Sequence, residues 1–209
     1  VMAVTVVSMK DEITRLKQVT AFARERQAEI EQFAAQLRAG SAQEYPDVKV
    51  NDNKDTVKID LSSGVSFISG SADISSAGSR FLRGYLPKLL AAAKSPRGEK
   101  WLKRVVVEGF TDTDGSYLFN LNLSLERSRK VVCAMYALPA QGEQALPQEE
   151  LEQIRDLFLV GGYSFNSMQA SKAKSRRIEL RLEFWQAGEK EQEARQPKPD
   201  LTGKAFGHC

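Results

Sequence analysis

Asp112 and Arg127 are the two residues in this chain whose types and spacing could do chemistry together. They bracket the string TDTDGSYLFNLNLSLER, in which Asp112, Asp114 and Gly115 supply turn chemistry and the chain from Ser116 onward reads as a helix. Asn120, Leu123, Ser124 and Arg127 fall at i, i+3, i+4 and i+7, so they share one face of that helix beside the turn. A carboxylate and a guanidinium placed side by side can clasp a zwitterion, the first taking an ammonium and the second a carboxylate in bidentate fashion. Free N–H groups at the helix start would add donors for the same carboxylate. Such a role predicts that truncating Arg127 costs binding and leaves folding intact. A plainer alternative stands beside it: Asp112 closes the turn and Arg127 pairs with it on the surface, worth about 0–1 kcal/mol.

The elements that must hold this pair follow from the apolar pattern. Val105, Val106 and Val107 form a β-branched run, which predicts a strand buried on both faces and feeding the turn. Thr56 to Leu61 alternates as TVKIDL, a half-exposed strand. Gly64 to Ser76 is turn-rich, with Phe67 and Ile68 expected to point inward. Ala77 to Lys94 is amphipathic through Phe81, Leu82, Tyr85, Leu86, Leu89 and Leu90, and Pro96 to Gly98 ends it. The helix after the turn should bury Val131, Val132, Met135 and Leu138. Pro139 to Pro147 reads as an insertion, Glu149 to Leu157 as a short helix, and Phe158 to Tyr163 and Arg176 to Phe184 as the remaining strands. Ser164 to Ser175 is a polar loop at the same strand ends, so it borders the turn. Strands interleaved with helices give an α/β (α+β) sandwich, a mixed β-sheet with helices packed on one face.

Composition narrows the function classes. With 209 residues, 42% hydrophobic and 27% charged, the chain can bury one good core and still carry appendages. A formal net charge of +3 without a concentrated basic stripe gives no footprint for nucleic acid. His208 is the single histidine and the cysteines are the distant Cys133 and Cys209, too few ligands for a zinc cluster. Asp112 to Asp114 does not make a calcium loop, because Gly115 comes too early for one. A wall hydrolase would need a metal triad, a nucleophile with its base, or paired catalytic carboxylates, and no such cluster stands out. No catalytic residue, metal or cofactor is assigned.

The N-terminal region reads as a separate unit. VMAVTVVSM, residues 1–9, carries no charge. Nine helical residues span about 14 Å, against a hydrocarbon thickness of roughly 30 Å. The reading is the outer end of a transmembrane helix, and the alternative is the apolar start of an ordinary helix. Lys10 to Ala39 is one helix without Pro or Gly, and Ile13, Leu16, Thr20, Ala23, Gln27, Ile30, Ala34 and Leu37 alternate by three and four residues as a heptad seam. Polar Thr20 and Gln27 would loosen a parallel dimer while fixing its register, and the alternative is a helix lying on its own domain or on a partner. Residues 40–55 read as a linker and 187–209 as a flexible, charged, Pro-containing tail.

Taken in order, GFTDTDG, FNLNLSLERSRKV, GGYSFN and SRRIELRLEF resemble the peptidoglycan-binding domain shared by OmpA, Pal and the flagellar stator protein MotB, over about residues 56–186. The resemblance implies that Asp112 and Arg127 hold the free zwitterionic end of meso-diaminopimelate in the cell-wall stem peptide. It makes Thr111, Phe119, Asn120 and Leu123 supporting contacts and Phe110, Ser124 and Arg176 the rim. Phe110 stands where the family usually has His, and Ser175 where it usually has Asn, which alters the expected shape of the pocket. A membrane-end stub, a heptad helix and a wall-binding domain together resemble MotB-like stators more than Pal or OmpA, and among them the anchor subunits of Zorya anti-phage defence systems. What this implies is a homodimer in the inner membrane, single-pass through its N-terminal helix, with the domain in the periplasm and a ZorA- or MotA-like membrane ring as partner. A flagellar-type stator or another envelope anchor without a defence role remains the alternative. An oxidising periplasm would allow a Cys133–Cys209 bridge, and a buried Cys133 thiol is the other reading.

Overall fold

The computed structural model describes residues 2–209, so Val1, where the expected membrane stub begins, lies outside the described residues. The first element is α1 (Met2–Ser41), a continuous helix of 40 residues and so about 60 Å long. Its C-terminal half belongs to the domain. Ile30, Phe33, Ala34 and Leu37 are buried at i, i+3, i+4 and i+7, and Phe22 lies 5.5 Å from the Trp101 ring. Phe33, which a heptad seam would leave outside, widens this stripe into one broad enough to face a core. The second half of the expected seam is therefore spent on the chain's own sheet. Val6, Met9, Ile13, Leu16 and Val19 remain exposed on the first half. Among the described residues no helix is long and apolar enough to cross a membrane.

The sheet has the order β1-β2-β5-β3-β4, made of β1 (Lys49–Asp52), β2 (Thr56–Asp60), β3 (Leu102–Gly109), β4 (Phe158–Gly162) and β5 (Ile178–Phe184). It is antiparallel except that β3 and β4 run parallel, as expected of a mixed sheet. The strand β1 falls within the stretch read as linker; backbone pairing of Val50 with Ile59 draws it into the sheet. One face packs on α1, on α2 (Ser76–Ala93) and on α4 (Tyr117–Tyr136), while α3 (Pro96–Trp101) and α5 (Gln148–Leu157) fill the far end. Ile178, Leu180, Leu182 and Phe184 of β5 all point into this core.

Among the described residues, no helix packs on the other face. It is covered by charged side chains instead: Arg181 pairs with Glu108 and Glu183, Arg104 with Glu183, and Arg177 with Glu179. Val106 and Glu108 are buried there, so the expectation of a β3 covered on both sides holds, with ion pairs forming the second cover. A paired network can do this where isolated surface pairs would add little.

Ile68 and Leu138, expected from the sequence to point inward, point outward. Ile68 is 77% exposed and Leu138 is 94% exposed. Ile68 spends its backbone on the site and turns its side chain out, and Leu138 lies beyond the end of α4 at Tyr136, off the helical phase. The last segment carries α7 (Glu189–Ala194), the Phe206 ring lies 4.9 Å from Tyr136, and Cys209 is bonded to Cys133 on α4.

The close approach of α4 to the ends of β3 and β4 depends on glycine. Gly109 and Gly162 are register partners. A Cβ on Gly109 would meet the Ser124 carbonyl oxygen at 2.0 Å, and one on Gly162 would meet Leu125 N at 2.7 Å. Side chains at either position would push the helix, and the face it carries, away from the turn.

Candidate functional site

The site begins where β3 stops. Phe110 donates its N–H to the Arg177 carbonyl and Thr111 to the Ser164 carbonyl, which fixes the chain as it leaves the sheet. The turn closes on Asp112, whose Oδ1 accepts the Asp114 N–H at 3.0 Å. Gly115 then takes φ +93°, a conformation that favours glycine. Ser116 caps α4, its hydroxyl accepting the Phe119 N–H. Asn120 locks turn to helix, donating from Nδ2 to the Asp114 carbonyl at 2.8 Å and the Ser116 carbonyl at 3.2 Å.

Two helical turns further, Arg127 is fully buried at 0% exposure. Its Nε donates to the Ser71 carbonyl at 2.9 Å, Nη1 to Phe110 at 2.9 Å and Nη2 to Ile68 at 3.1 Å. The Phe67 ring lies 4.8 Å from its Cζ. Burial pushes the guanidinium down to about 10, against the Asp112 charge and with the Arg176 charge adding to the effect. Arg127 thus pins the segment 67–71 to the end of β3.

Asp112 is buried as well, and its partner is Arg176: Nη1 donates to Asp112 Oδ2 at 2.7 Å. Arg176 Nε also reaches the Phe67 carbonyl at 3.2 Å. Burial works to raise the Asp112 carboxyl. The Arg176 hydrogen bond, the Asp114 N–H and the charges of Arg176 and Lys172 outweigh it, holding the group below the usual carboxylate range. Asp114 pairs with Lys172, in the short helix α6 (Lys172–Ser175) of the loop between β4 and β5.

The structure therefore brings Asp112, Asn120, Arg127 and Arg176 to one end of the sheet, with Arg176 against Asp112 and Arg127 beneath the same turn. Leu123 and Ser124 lie on the buried face of α4, and Ser124 Oγ accepts the Ser164 N–H at 3.1 Å. Thr111 is buried, and its hydroxyl has no hydrogen-bond partner among the described residues. Phe119 is 51% exposed beside exposed Tyr117 and Leu118, forming an apolar lip. Phe110 is buried, stacked 5.2 Å from Tyr163 and capped by the Arg177 guanidinium at 4.0 Å. Ser175 Oγ serves its own loop, accepting from Gln169 N and donating to the Ser171 carbonyl. Sequence reasoning did not find Lys172, nor the carbonyls of Phe67, Ile68 and Ser71. The adjacent arginines before an alternating strand were the available signal for Arg176, since neighbouring residues there point to opposite sides.

No family model matches the chain. Over 121 residues it is 45% identical to the Zorya protein ZorB of Escherichia coli O139:H28 (strain E24377A / ETEC), a match covering 58% of this chain and 49% of that protein. The chain thus spans about half the length of the curated relative it matches. A solved structure described as a MotB-like protein from Desulfovibrio vulgaris superposes with a TM-score of 0.52 at 16% identity, covering 78% of this chain and 96% of that one. The cell wall anchor of the T6SS from Pseudomonas aeruginosa superposes with a TM-score of 0.46 at 20% identity, covering 73% of this chain and 97% of that one. This chain is similar in sequence to ZorB and shares its fold with a MotB-like protein.

Proposed function

We propose that residues 56–186 anchor the protein to peptidoglycan by gripping the zwitterionic end of meso-diaminopimelate in the stem peptide. The observation that carries this reading is the ion pair of Asp112 with Arg176 on the turn between β3 and α4. A buried carboxylate beside a partly accessible guanidinium offers a receptor for each half of a zwitterion. In this reading the task is holding a ligand, not turning it over. Retention of the 1–209 chain on diaminopimelate-type sacculi tests the reading. Asp112→Ala should release it, and a variant retained as well as the wild type would contradict it.

The similarity to ZorB supports a wider reading. In it, the whole protein is the wall anchor of a MotB-like, ion-driven motor of the inner membrane in Zorya anti-phage defence, with a ZorA-like ring as partner. The chain would enter the membrane on the N-terminal side of α1 and hold its domain in the periplasm. The exposed residues Val6, Met9, Ile13 and Leu16 follow heptad spacing, which suits a parallel homodimer. Two domains held together would engage neighbouring stem peptides and gain from effective concentration. Co-purification of the full-length protein with its membrane ring tests the partner, and its absence from the ring would remove it. Sedimentation velocity tests the dimer: Ile13→Asp with Leu16→Asp should shift a concentration-dependent dimer to monomer, and a wild type that is monomeric throughout would remove it.

A further inference from the structure

The segment that follows β5 is fastened at its two ends and barely between them. At its start Lys103 pairs with Glu189 of α7, and Lys190 donates to the Glu99 carbonyl at 2.6 Å. From Pro197 onward every hydrogen bond among the described residues is internal to the segment: Thr202 N–H to Asp200, and Lys204 N–H to the Leu201 carbonyl. Lys198, Asp200 and Lys204 form no ion pair with the rest of the described residues. The middle of the segment stands away from α5, with a space of about 630 Å³ between Lys198, Leu201 and Thr202 on one side and Glu152, Arg155 and Asp156 on the other. At the far end the Phe206 ring lies against Tyr136 and near the Arg155 guanidinium, and Cys209 is bonded to Cys133. The segment is a strap whose closure rests on one ring and one covalent bond.

The two sulfurs of that bond differ. Cys209 is exposed, whereas Cys133 is buried in the last turn of α4. The carbonyl end of a helix opposes a thiolate. Arg129, one turn back, sets a cation against that effect: its Nη1 donates to Cys133 Sγ at 3.4 Å, and Glu126 holds the guanidinium from the other side. We propose that the Cys133–Cys209 bond is a redox latch, which a dithiol reductant opens while the sheet and its helices stay folded. A thiolate of the dithiol attacks the accessible Cys209 Sγ and bonds to it. The Cys133–Cys209 bond breaks, and its electron pair leaves on Cys133 Sγ beside Arg129. The second thiolate of the dithiol then attacks the mixed disulfide and releases Cys209. Two electrons have passed, the dithiol has become a disulfide, and its two protons end on the two cysteines. The strap then leaves, because ordering the chain from Pro197 costs more than one aromatic contact returns. Its departure uncovers Tyr136 and the flank of α5. The latch sits at the C-terminal end of α4, and Asn120 at the N-terminal end, so the device is independent of what the β3–α4 turn binds.

The test is reduction of the oxidised 1–209 chain by dithiothreitol, with free thiols trapped by iodoacetamide at intervals and counted by mass. It is run without urea and at urea concentrations below the unfolding transition. Both thiols should appear at a rate proportional to dithiothreitol and indifferent to urea, with the far-ultraviolet circular dichroism unchanged. Protease should then remove residues 197–209 and leave the domain whole. Arg129→Gln should slow the reduction about threefold, the effect of roughly one pKa unit on the leaving thiol. A rate that levels off with dithiothreitol and climbs with urea in step with global unfolding overturns the latch, since the bond would then open only in the unfolded chain. A reduced chain whose residues 197–209 resist protease as well as before overturns the release of the strap. An unchanged rate in Arg129→Gln overturns the part given to Arg129.

Discussion

Arg176 Nη1 lies 2.7 Å from Asp112 Oδ2, so the carboxylate of the turn is held by the arginine that leads into β5, while the Arg127 guanidinium turns to the main chain. The two arginines divide the work. Arg127 fastens backbone segments that are far apart in sequence, and Arg176 balances the charge of Asp112 near the surface. Both also hold the 67–71 segment, through Phe67 in one case and through Ile68 and Ser71 in the other.

Truncating Arg127 should cost stability as well as binding. Arg127→Ala removes three hydrogen bonds, leaving the carbonyls of Phe110 and Ser71 without a donor and that of Ile68 with the Ser71 N–H alone. At about 1–3 kcal/mol for each buried group left unsatisfied, partly relieved by water entering the space, the net loss is about 3 kcal/mol. In a chain of this size that lowers the melting temperature by roughly 6–12 °C. A circular-dichroism melt of Arg127→Ala within about 2 °C of the wild type would show that the carbonyl contacts contribute little. This replaces the sequence-based expectation that folding is indifferent to Arg127.

Acid should weaken the protein through Asp112. Its carboxyl is held below the usual range in the folded state, so it binds fewer protons there than in the unfolded chain. The stability it contributes is therefore fully present above the ordinary carboxylate range, near pH 4, and is lost as the pH falls through the lower, folded value. Melting temperature followed from pH 7 to pH 2 should be flatter below about pH 4 in Asp112→Asn than in the wild type. Parallel curves would mean that Asp112 does not contribute to the acid slope.

Gly162→Ala tests the contact that brings α4 to the turn. The added Cβ meets backbone and a side chain of the helix at under 3 Å. Overpacking of this kind costs about 1–3 kcal/mol, which urea unfolding would read directly as a lower midpoint at unchanged slope. Because the helix carries Asn120 and Arg127, wall retention should fall in the same variant. An unshifted midpoint would show that the strand ends give way easily.

The Cys133–Cys209 bond closes a sequence separation of 76 residues. By the chain-entropy account such a loop adds about 4 kcal/mol. Cys209→Ser should lower the unfolding free energy by up to that amount and make residues 187–209 an early target of protease. Equal protease resistance in the variant would show that Phe206 on Tyr136 holds the tail without the bond.

Much of this arrangement was legible because it is local. The spacing of Asn120, Leu123, Ser124 and Arg127 places them on one helical face, and the structure buries all four. The alternation of SRRIELRLEF gives β5, with every second residue in the core. What escaped was long-range. The carbonyl partners of Arg127 at Ile68 and Ser71 lie more than fifty residues away and have no side-chain signature. Heptad spacing in α1 does not say which turns face a partner and which face the sheet, and Phe33 decides it through packing alone. A charged tail reads as flexible until the covalent bond from its last residue to α4 is known.

Lysine-type peptidoglycan removes half of the zwitterion, since lysine has the ammonium of diaminopimelate and lacks its side carboxylate. The most direct measurement is co-sedimentation of the 1–209 chain with diaminopimelate-type and lysine-type sacculi in parallel. The protein should pellet with the first and stay in the supernatant with the second. Equal pelleting with both, or with neither, would rule out recognition of the zwitterion.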